Sequence, residues 1–293
     1  AYPVKNLHGA DEYLDDVLAL YNGGRKPGYN TGWPTLDEFM TIRQGELSVV
    51  TGIPSSGKSE FVDALCMNLA MGHGWRFGVC SFENPPDEHL AKLAEKKIGM
   101  PFFQGPLPRM SEDMVRGAVD WLRERFFLIR ADDDAPTIEM ILTAARAGVI
   151  RHGINGLVID PYNEIEHTFG AGTETQYISA MLAKVRRFAQ NHSVHVWFVA
   201  HPQKPSRNKD GEYPELTLYD IAGGAHWANK ADLGIVVSRD YTDGSKLVTI
   251  KVKKVRFKAV GKPGEVMLEF DRATGAYTEL VQRPMRPRYS ADE

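Results

Sequence analysis

The sequence predicts an α/β fold, with a mostly parallel, twisted sheet covered by helices on both faces. From about Thr31 onward, short apolar runs rich in β-branched residues alternate with helical stretches, the order typical of βαβ units. Two of the runs, 156–160 and 194–200, are apolar almost throughout, as in parallel strands buried on both faces. The final strand candidates follow one another without a helix between them, which predicts antiparallel strands at the C-terminal edge of the sheet.

Periodicity gives the individual elements. The predicted strands are 46–51, 76–82, 126–130, 156–160, 194–200, 232–239, 246–253 and 265–270. The predicted helices of the domain are 58–72, 86–98, 111–125, 137–150 and 174–192. We assign residues 30–282 to one domain and expect the tail, 283–293, to be disordered.

Residues 1–29 are predicted to form a short linker helix followed by a linker. The helix covers 10–22 and ends at Gly23 and Gly24. Its apolar stripe consists of Leu14, Val17, Leu18 and Tyr21. A lone amphipathic helix has to bury such a stripe, so it either folds back onto its own domain or docks on a neighbouring subunit.

Composition narrows the class of protein. Hydrophobic residues make up 43% and charged residues 25% of the chain, which is ordinary for a globular protein. Apolar runs of membrane-spanning length and a signal peptide are not found, so we expect a cytoplasmic protein with no membrane partner. Cys66 and Cys80 lie in apolar stretches and are expected to be reduced core residues rather than a structural metal site. The net charge of −3 argues against a surface coated with nucleic acid but permits a local basic lining.

Residues 52–59, GIPSSGKS, match the phosphate-loop pattern G-x-x-x-x-G-K-[ST] in full. A strand candidate precedes the loop and a helix candidate follows it, so backbone N–H groups and the positive end of the helix would face a polyphosphate. This context argues against a glycine-rich turn with an incidental lysine. We predict that Lys58 binds the β- and γ-phosphates of ATP, or of another nucleoside triphosphate, and that Ser59 binds Mg²⁺. The other predicted nucleotide contacts in this segment are Gly52, Ser55, Ser56, Gly57 and Glu60.

Two acidic residues end strands on either side of the predicted phosphate site. Asp160 ends the apolar run 156–160, where a carboxylate holds Mg²⁺ in phosphate-loop ATPases. Glu83 ends the strand after the loop's helix, beside the γ-phosphate, where it can orient and deprotonate the attacking water. The structural alternative for both is a cap of the following turn or helix, for Glu83 next to Pro85.

His201 closes the strand candidate 194–200. A lone histidine is usually structural, but one at the tip of a core strand would face the γ-phosphate and report its loss to the following loop. Gln203 is the competing candidate for this sensor role. The stretch from Pro202 to Pro214 is predicted to be a mobile polar loop.

Residues 251–258, KVKKVRFK, form a basic strand. Alternation would place Lys251, Lys253 and Val255 on one face and Val252, Lys254 and Arg256 on the other. A solvated edge strand would explain such charge. We favour a catalytic role for Lys254 and Arg256, because phosphate-loop sites often receive a cation from a neighbouring subunit.

Taken together, several blocks resemble the RecA-like ATPase domain of DnaB-type hexameric replicative helicases, and most closely the phage primase-helicases and Twinkle helicases. These blocks are TGWPTLD at 31–37, GEL at 45–47 before the phosphate loop, SFE at 81–83, VID at 158–160 and KVR at 254–256. His201 stands where bacterial DnaB proteins usually carry glutamine. The resemblance covers about residues 30–280.

The resemblance implies a homo-hexamer, or a heptamer, that hydrolyses ATP at subunit interfaces. It implies movement 5′ to 3′ along single-stranded DNA in a central pore, alongside a replisome's primase and polymerase. The linker helix 10–22 would dock on the next subunit. Whether a primase part belongs to a longer polypeptide stays open.

The resemblance also suggests DNA-contacting and base-contacting residues. One pore loop would be 164–173, contacting DNA through Gly172 and Thr173. The second would be 219–232, contacting DNA through Gly223, Gly224, His226 and Lys230. Trp227 would either touch the strand or pack at an interface. Arg239 and Phe270 would flank the nucleotide base.

Other functions share the phosphate loop. A RecA-like recombinase or mediator would form filaments on DNA, and a non-motor nucleotide switch would use ATP to set the state of an assembly. A small-molecule kinase would place its arginines in a lid of the same chain, whereas here the basic pair lies on a strand.

Overall fold

A computed structural model describes residues 8–24, 27–131, 136–166, 173–203, 215–240 and 244–280 of the chain. Their strands form one mixed sheet with the order β3-β2-β4-β5-β1-β6-β7-β8-β9. The strands are β1 (Leu47–Thr51), β2 (Phe77–Ser81), β3 (Phe126–Leu128), β4 (Gly156–Asp160), β5 (His195–Val199), β6 (Leu233–Arg239), β7 (Leu247–Val255), β8 (Gly264–Phe270) and β9 (Tyr277–Glu279).

Strands β1 to β6 are parallel where they pair, and β6 to β9 are antiparallel. All the parallel strands therefore end at the same edge of the sheet, which we call the nucleotide edge, and they begin at the opposite edge, which we call the far edge. The predicted fold class, a mostly parallel sheet with antiparallel C-terminal strands, is confirmed.

Helices cover both faces of the sheet. The described helices are α1 (Leu14–Gly23), α2 (Pro34–Asp37), α3 (Lys58–His73), α4 (Pro86–Ile98), α5 (Glu112–Arg123), α6 (Ile138–His152), α7 (Glu174–His192) and α8 (Gly224–Lys230), of which α3 to α8 pack on the sheet. One core, which includes Phe61 and Trp75, lies between the sheet and α3, α4 and α5. The other, which includes Leu182 and Trp227, lies between the sheet and α6, α7 and α8. Among the described helices, none is long and apolar enough to cross a membrane.

Three short elements were not predicted: α2, α8 and β9. Each is too short for its periodicity to be recognised, and contacts with distant parts of the chain hold it. The indole N–H of Trp33 donates to the carbonyl of Tyr277 at 2.9 Å, and the backbone N–H of Thr35 donates to the Glu279 carboxylate at 2.6 Å. These bonds fasten α2 to β9 across the length of the chain.

The apolar stripe of α1 faces solvent. Tyr21 is 84% exposed, and Leu14, Val17 and Leu18 are each about half exposed. Of the two alternatives for this helix, folding back onto the domain is therefore wrong within the described chain. Docking on a neighbouring subunit stays a prediction. The predicted tail, 283–293, lies outside the described residues.

Candidate nucleotide-binding site

The nucleotide edge brings together five strand ends that carry predicted site residues. Gly52 follows β1, Glu83 lies two residues beyond β2, and His201 lies two residues beyond β5. Asp160 ends β4 and Arg239 ends β6. Ligands of open α/β sheets bind at this edge, outside the carboxyl ends of the strands.

The phosphate loop joins β1 to the N-terminus of α3. A Cβ atom on Gly52 would lie 2.3 Å from the carbonyl oxygen of Val237 in β6, so only glycine fits there. Gly57, immediately before α3, has a φ of +91°, in the left-handed region that glycine adopts at little cost. The spacing of the two glycines therefore meets two backbone requirements, and the loop presents the N–H groups of the first turn of α3 outward.

The side chains of this loop suit a bound polyphosphate. The ammonium group of Lys58 lies over the loop, donating to the carbonyls of Gly52 and Ile53 at 3.0 Å each. Burial lowers the pKa of Lys58, against the opposing effect of the Asp160 and Glu83 carboxylates. The hydroxyl oxygen of Ser56 is buried and has no hydrogen-bond partner among the described residues. A buried polar atom of this kind is what a bound phosphate would satisfy.

Asp160 and Ser59 form the predicted metal pair. The Ser59 hydroxyl donates a hydrogen bond to the Asp160 carboxylate, and burial raises the pKa of that carboxyl to about 6 despite this bond. A hydroxyl oxygen and a carboxylate held together beside phosphates form the oxygen-rich donor set that Mg²⁺ prefers. These residues therefore fit a magnesium ion.

Glu83 and His201 face each other across the end of the sheet. The Nε2 atom of His201 lies 3.4 Å from Oε1 of Glu83. The Glu83 side chain is half exposed, so it can reach a water molecule above the phosphate loop. Burial, helped by the charge of Lys58, lowers the pKa of His201, so the imidazole is neutral at neutral pH.

Gln203, the competing sensor, is exposed at the start of the next segment. Its backbone N–H donates to the carbonyl of Asp220 at 2.7 Å, and Pro202 forms a β-bridge with Ile221. The contacts of Gln203 thus connect His201 to the segment before α8. The rest of the predicted polar loop, 204–214, lies outside the described residues.

Arg239 and Phe270 lie together beside the phosphate loop. The guanidinium carbon of Arg239 is 5.3 Å from the centre of the Phe270 ring, and that ring lies 5.0 Å from the ring of Tyr277. The Tyr277 hydroxyl donates to the carbonyl of Gly57 at 3.3 Å. Sequence reasoning missed Tyr277, because β9 is too short to be recognised.

Glu60 is engaged elsewhere. Its carboxylate binds Lys96 at 2.5 Å and Lys92 at 3.4 Å, both on α4. In this arrangement its side chain joins α3 to α4, and only its backbone N–H is positioned with the first turn of α3.

A second contact between these helices was not predicted. Asp63 on α3 and His89 on α4 are both buried, and His89 Nε2 lies 3.1 Å from both carboxylate oxygens. Burial disfavours the charged form of both side chains, but the charge and hydrogen bond of the partner favour it more. The pKa of Asp63 is therefore lowered and that of His89 is raised. The helical positions gave no signal for this pair, because pairing between helices depends on how they pack.

Lys254 and Arg256 lie at the far edge, away from the phosphate loop of their own chain. Val255 pairs with Leu233, the first residue of β6, whereas Arg239 at the other end of β6 lies at the nucleotide edge. β6 spans seven residues, so the separation along the strand is roughly 20 Å. β7 lies between β6 and β8 as far as Val252, whereas Lys254 and Val255 pair with β6 alone, so the alternative of an edge strand is wrong only for the part up to Val252.

The predicted alternation along this strand needs a correction. The register with β6 shifts between Gly234 and Ile235, so that Val252 pairs with Ile235 and Lys254 with Gly234. This β-bulge turns Lys254 to the face opposite Val252, which is buried in the core against α3. Lys254 and Arg256 still share a face, because both donate to the carbonyl of Asn229.

The second predicted pore loop contains a helix, α8. Gly223 precedes it with a φ of +67°, and a Cβ atom on Gly224 would lie 2.1 Å from the carbonyl oxygen of Tyr219. Both glycines thus serve the turn into α8, while His226 and Lys230 are partly exposed on it. Trp227 is fully buried against Tyr162 and Phe198, so neither predicted role for it is correct.

The first predicted pore loop falls mainly outside the described residues. This applies to 167–172, which includes Gly172. Thr173 is described, and its hydroxyl accepts a hydrogen bond from the backbone N–H of Gln176 as the N-cap of α7.

Comparison with known proteins identifies the family. Residues 28–279 match the model of the DnaB-like helicase C terminal domain. The chain belongs to the DnaB-like helicase family. Within it, the chain is 44% identical over 297 residues to the Twinkle homolog protein, chloroplastic/mitochondrial, of Arabidopsis thaliana, covering 98% of this chain and 42% of that protein.

The chain is also similar to two more distant proteins that are named as helicases. The DNA helicase/primase of Enterobacteria phage T3 is 23% identical, covering 82% of this chain and 43% of its own. The replicative DNA helicase DnaB of Haemophilus influenzae is 22% identical, and the match covers 97% of this chain and 62% of that protein. The chain thus spans less than two thirds of the length of these relatives.

Solved structures confirm the fold of this DnaB-like domain. A solved ATPase domain superposes with a TM-score of 0.77 at 19% identity, over 94% of this chain and 100% of that one. A DnaB-like replicative helicase, described with its interactions with primase, superposes with a TM-score of 0.76 at 18% identity. The superposition covers 93% of this chain and 68% of that one. These superpositions confirm the RecA-like fold.

Proposed function

We propose that this DnaB-like domain is the ATP-driven motor of a ring-shaped DNA helicase that moves 5′ to 3′ along single-stranded DNA. In this proposal residues 30–282 form the motor domain and 1–29 link it to a neighbour in a hexamer. A primase and a polymerase are its proposed partners in replication. Family membership supports the motor, and the arrangement of the two sheet edges supports the ring.

In this proposal, residues at the nucleotide edge bind ATP and activate the attacking water. Lys58 and the N–H groups at the start of α3 bind the phosphates, while Arg239 and Phe270 hold the base. Glu83 accepts a proton from the attacking water. His201, neutral near pH 7, has one ring N–H to donate: its Nε2 faces Glu83 in this structure, and the same N–H would turn to the γ-phosphate when the nucleotide is bound. Ser59 and Asp160 hold Mg²⁺, which when bound neutralises phosphate charge.

The observation that carries the proposal is the position of Lys254 and Arg256 at the far edge. Neither can reach across roughly 20 Å of sheet to the phosphate loop of its own chain, because an extended arginine side chain is far shorter. In this proposal Lys254 and Arg256 therefore add their cations to the γ-phosphate site of a second copy, beside that copy's own Lys58. A site completed in this way requires an assembly in which each subunit presents its far edge to its neighbour's nucleotide edge, and repetition of such a heterologous contact gives a ring where the rotation closes.

A contact between two segments supports a coupling of ATP hydrolysis to DNA binding. The β-bridge from Pro202 to Ile221 places the segment after His201 against the segment that leads into α8. Loss of the γ-phosphate, sensed at His201, would thus move the proposed DNA-contacting residues Gly223, Gly224, His226 and Lys230. Thr173, with Gly172, is proposed for the other DNA-contacting loop. Sequence-independent binding needs few charges, so the overall acidity is compatible with it.

Mixing two inactive variants tests the shared site. Lys58→Ala removes the phosphate lysine and Arg256→Ala removes the cation offered to the neighbour, so each alone is expected to lose at least about a thousandfold in DNA-stimulated ATP hydrolysis. In mixed assemblies, an intact phosphate loop meets an intact arginine at some interfaces, and part of the activity returns. Lys258→Ala, which removes an exposed cation of the same segment, is the matched control and retains activity. A mixture that regains nothing would contradict the shared site.

A further inference from the structure

Asp232 lies at the far edge, immediately before β6, with a side chain that is only 1% exposed. Its Oδ2 atom accepts a hydrogen bond from the backbone N–H of Leu47, the first residue of β1, at 3.0 Å. Its Oδ1 atom lies 2.8 Å from Nε of Arg256 and accepts a hydrogen bond from Arg186 at 3.2 Å. One buried carboxylate thus contacts two cations and the strand that leads into the phosphate loop.

The same carboxylate determines where the guanidinium of Arg256 lies. The backbone N–H of Arg256 donates to the carbonyl of Asp232 at 2.8 Å, so the base of the side chain is fixed as well. The Nη2 atom donates to the carbonyls of Asn229 and Ala231 at the end of α8. Nε lies against Asp232, and 28% of the side chain stays exposed.

A buried carboxylate is stable as an anion only if cations or hydrogen-bond donors surround it. Arg186 and the N–H of Leu47 would satisfy much of this need. The contact with Arg256 has a poor hydrogen-bond direction, since the buried Nε makes no hydrogen bond with the described residues although it lies 2.8 Å from Oδ1. The contact therefore acts through charge, and it holds one side of the guanidinium while Nη2 binds the carbonyls at the end of α8.

We propose that Asp232 is a positioning residue that aligns Arg256 for the active site of the neighbouring subunit. This inference rests on the proposed function, in which Arg256 acts on the neighbour's γ-phosphate. Because Leu47 begins β1 and Gly52 follows its end, Asp232 also fixes the arginine relative to the phosphate loop of its own subunit. Each subunit then carries its binding loop at one end of β1, and Asp232, which holds the offered cation, at the other end.

Asp232→Asn tests the proposal, since it removes the charge but keeps the size and an oxygen that can accept from Leu47. In the assembled protein with single-stranded DNA, we expect kcat for ATP hydrolysis to fall about tenfold to a hundredfold, the range for a misplaced catalytic group. The KM for ATP is expected to stay unchanged, because the subunit's own phosphate loop is intact.

Mixed assemblies separate positioning from a general structural effect. Asp232→Asn subunits have a working phosphate loop and a misplaced arginine, so mixing them with Lys58→Ala subunits is expected to restore part of the activity. Mixing them with Arg256→Ala subunits is expected to restore none, because both variants lack the same function. If the substitution instead damaged the phosphate loop through β1, this pattern would be reversed.

Glu46→Gln is the matched control. Glu46 is a buried acid beside Asp232 that pairs with Arg43 at 2.5 Å and does not contact Arg256, and its replacement is expected to leave kcat unchanged. Asp232→Glu keeps the charge but moves it by one methylene group, and is expected to show a smaller fall in kcat with the same mixing pattern. This second variant decides the question if Asp232→Asn does not fold.

The outcomes distinguish the two proposals. If Arg256→Ala and Lys58→Ala subunits complement each other but neither Asp232 variant is complemented by Lys58→Ala, the positioning role is wrong and the shared site stands. If Arg256→Ala is not complemented either, the shared site is wrong and this inference is lost with it. An unchanged kcat in both Asp232 variants would also overturn the inference.

Discussion

Burial controls the charge of the side chains around the phosphate loop. It lowers the pKa of Lys58 and of His201 and raises that of Asp160 to about 6. Glu83 differs from these groups, since half of its side chain is exposed. An accessible carboxylate beside buried binding groups is suited to accept a proton from water and release it to solvent.

Glu83→Gln is therefore expected to separate binding from chemistry. The amide keeps the size of the side chain but cannot accept the proton, so ATP hydrolysis should slow by roughly a hundredfold or more. ATP affinity, measured with a fluorescent analogue, should be retained. Glu88→Gln replaces an exposed acid at the start of α4 and serves as the control with unchanged turnover. Equal turnover in wild type and Glu83→Gln would remove Glu83 from the mechanism.

Helices α3 and α4 are joined by two ionic contacts that differ in burial. Glu60 binds Lys92 and Lys96 near the phosphate loop, and Asp63 binds His89 in the interior. Since α3 begins at the phosphate loop and α4 follows Glu83, the buried pair fixes the distance between binding and catalytic groups. Removing one partner of a buried pair typically costs about 3–5 kcal/mol, because the other charge is left uncompensated.

The stability of the Asp63–His89 pair is expected to depend on pH. Asp63 has a lowered pKa, so its contribution is present above its ordinary value of 3.8 and is lost as pH falls through the folded value. His89 has a raised pKa, so its contribution is complete below its ordinary value of 6.5 and is lost as pH rises through the folded value. The pair thus stabilises the fold most between these two ordinary values.

His89→Gln tests this dependence. We expect its loss in free energy of unfolding, measured with urea, to be larger at about pH 5.5 than at about pH 8.5. Lys184→Gln breaks an exposed pair with Glu139 and is the control, with a loss of at most about 1 kcal/mol at both values. An equal loss for His89→Gln at both values would show that the pair is not charged in the folded protein.

The assembled molecule follows from the two edges of one sheet. The phosphate loop, Glu83 and His201 lie at the nucleotide edge, and Lys254, Arg256 and Asp232 lie at the far edge. The exposed apolar stripe of α1 gives each copy a further surface that needs a partner. In the proposed ring, a chain arranged in this way carries two halves of a site and completes neither alone.

The ring motor is expected to unwind DNA with one polarity. Given ATP and a forked duplex, the assembled protein should displace the strand when the fork has a single-stranded 5′ tail and not when only a 3′ tail is present. Lys58→Ala is the negative control. A filament-forming recombinase would coat either tail without such a preference, and a nucleotide switch would displace neither. Equal displacement from both forks would contradict the proposed direction.

The local patterns were sufficient for most of the fold. β-branched runs and helical periods predicted eight strands of the sheet close to their observed ends, and predicted 86–98 and 174–192 as helices with the observed bounds. Elements held mainly by distant contacts, such as β9 against α2, carry too little local signal. The bulge in β7 could not be predicted for the same reason, since it arises where β7 pairs with Gly234 and not from the sequence of β7 itself.

The sequence alone determined the phosphate loop, the acids at the strand ends and the family, because spacing along the chain specifies a strand, a turn and a helix start locally. Only the tertiary structure placed Arg256 and Asp232 at the edge opposite Lys58, buried Trp227 and paired Asp63 with His89. The reason is physical: strand order and helix packing decide which distant residues meet, and neither is encoded in the spacing of residues within a motif.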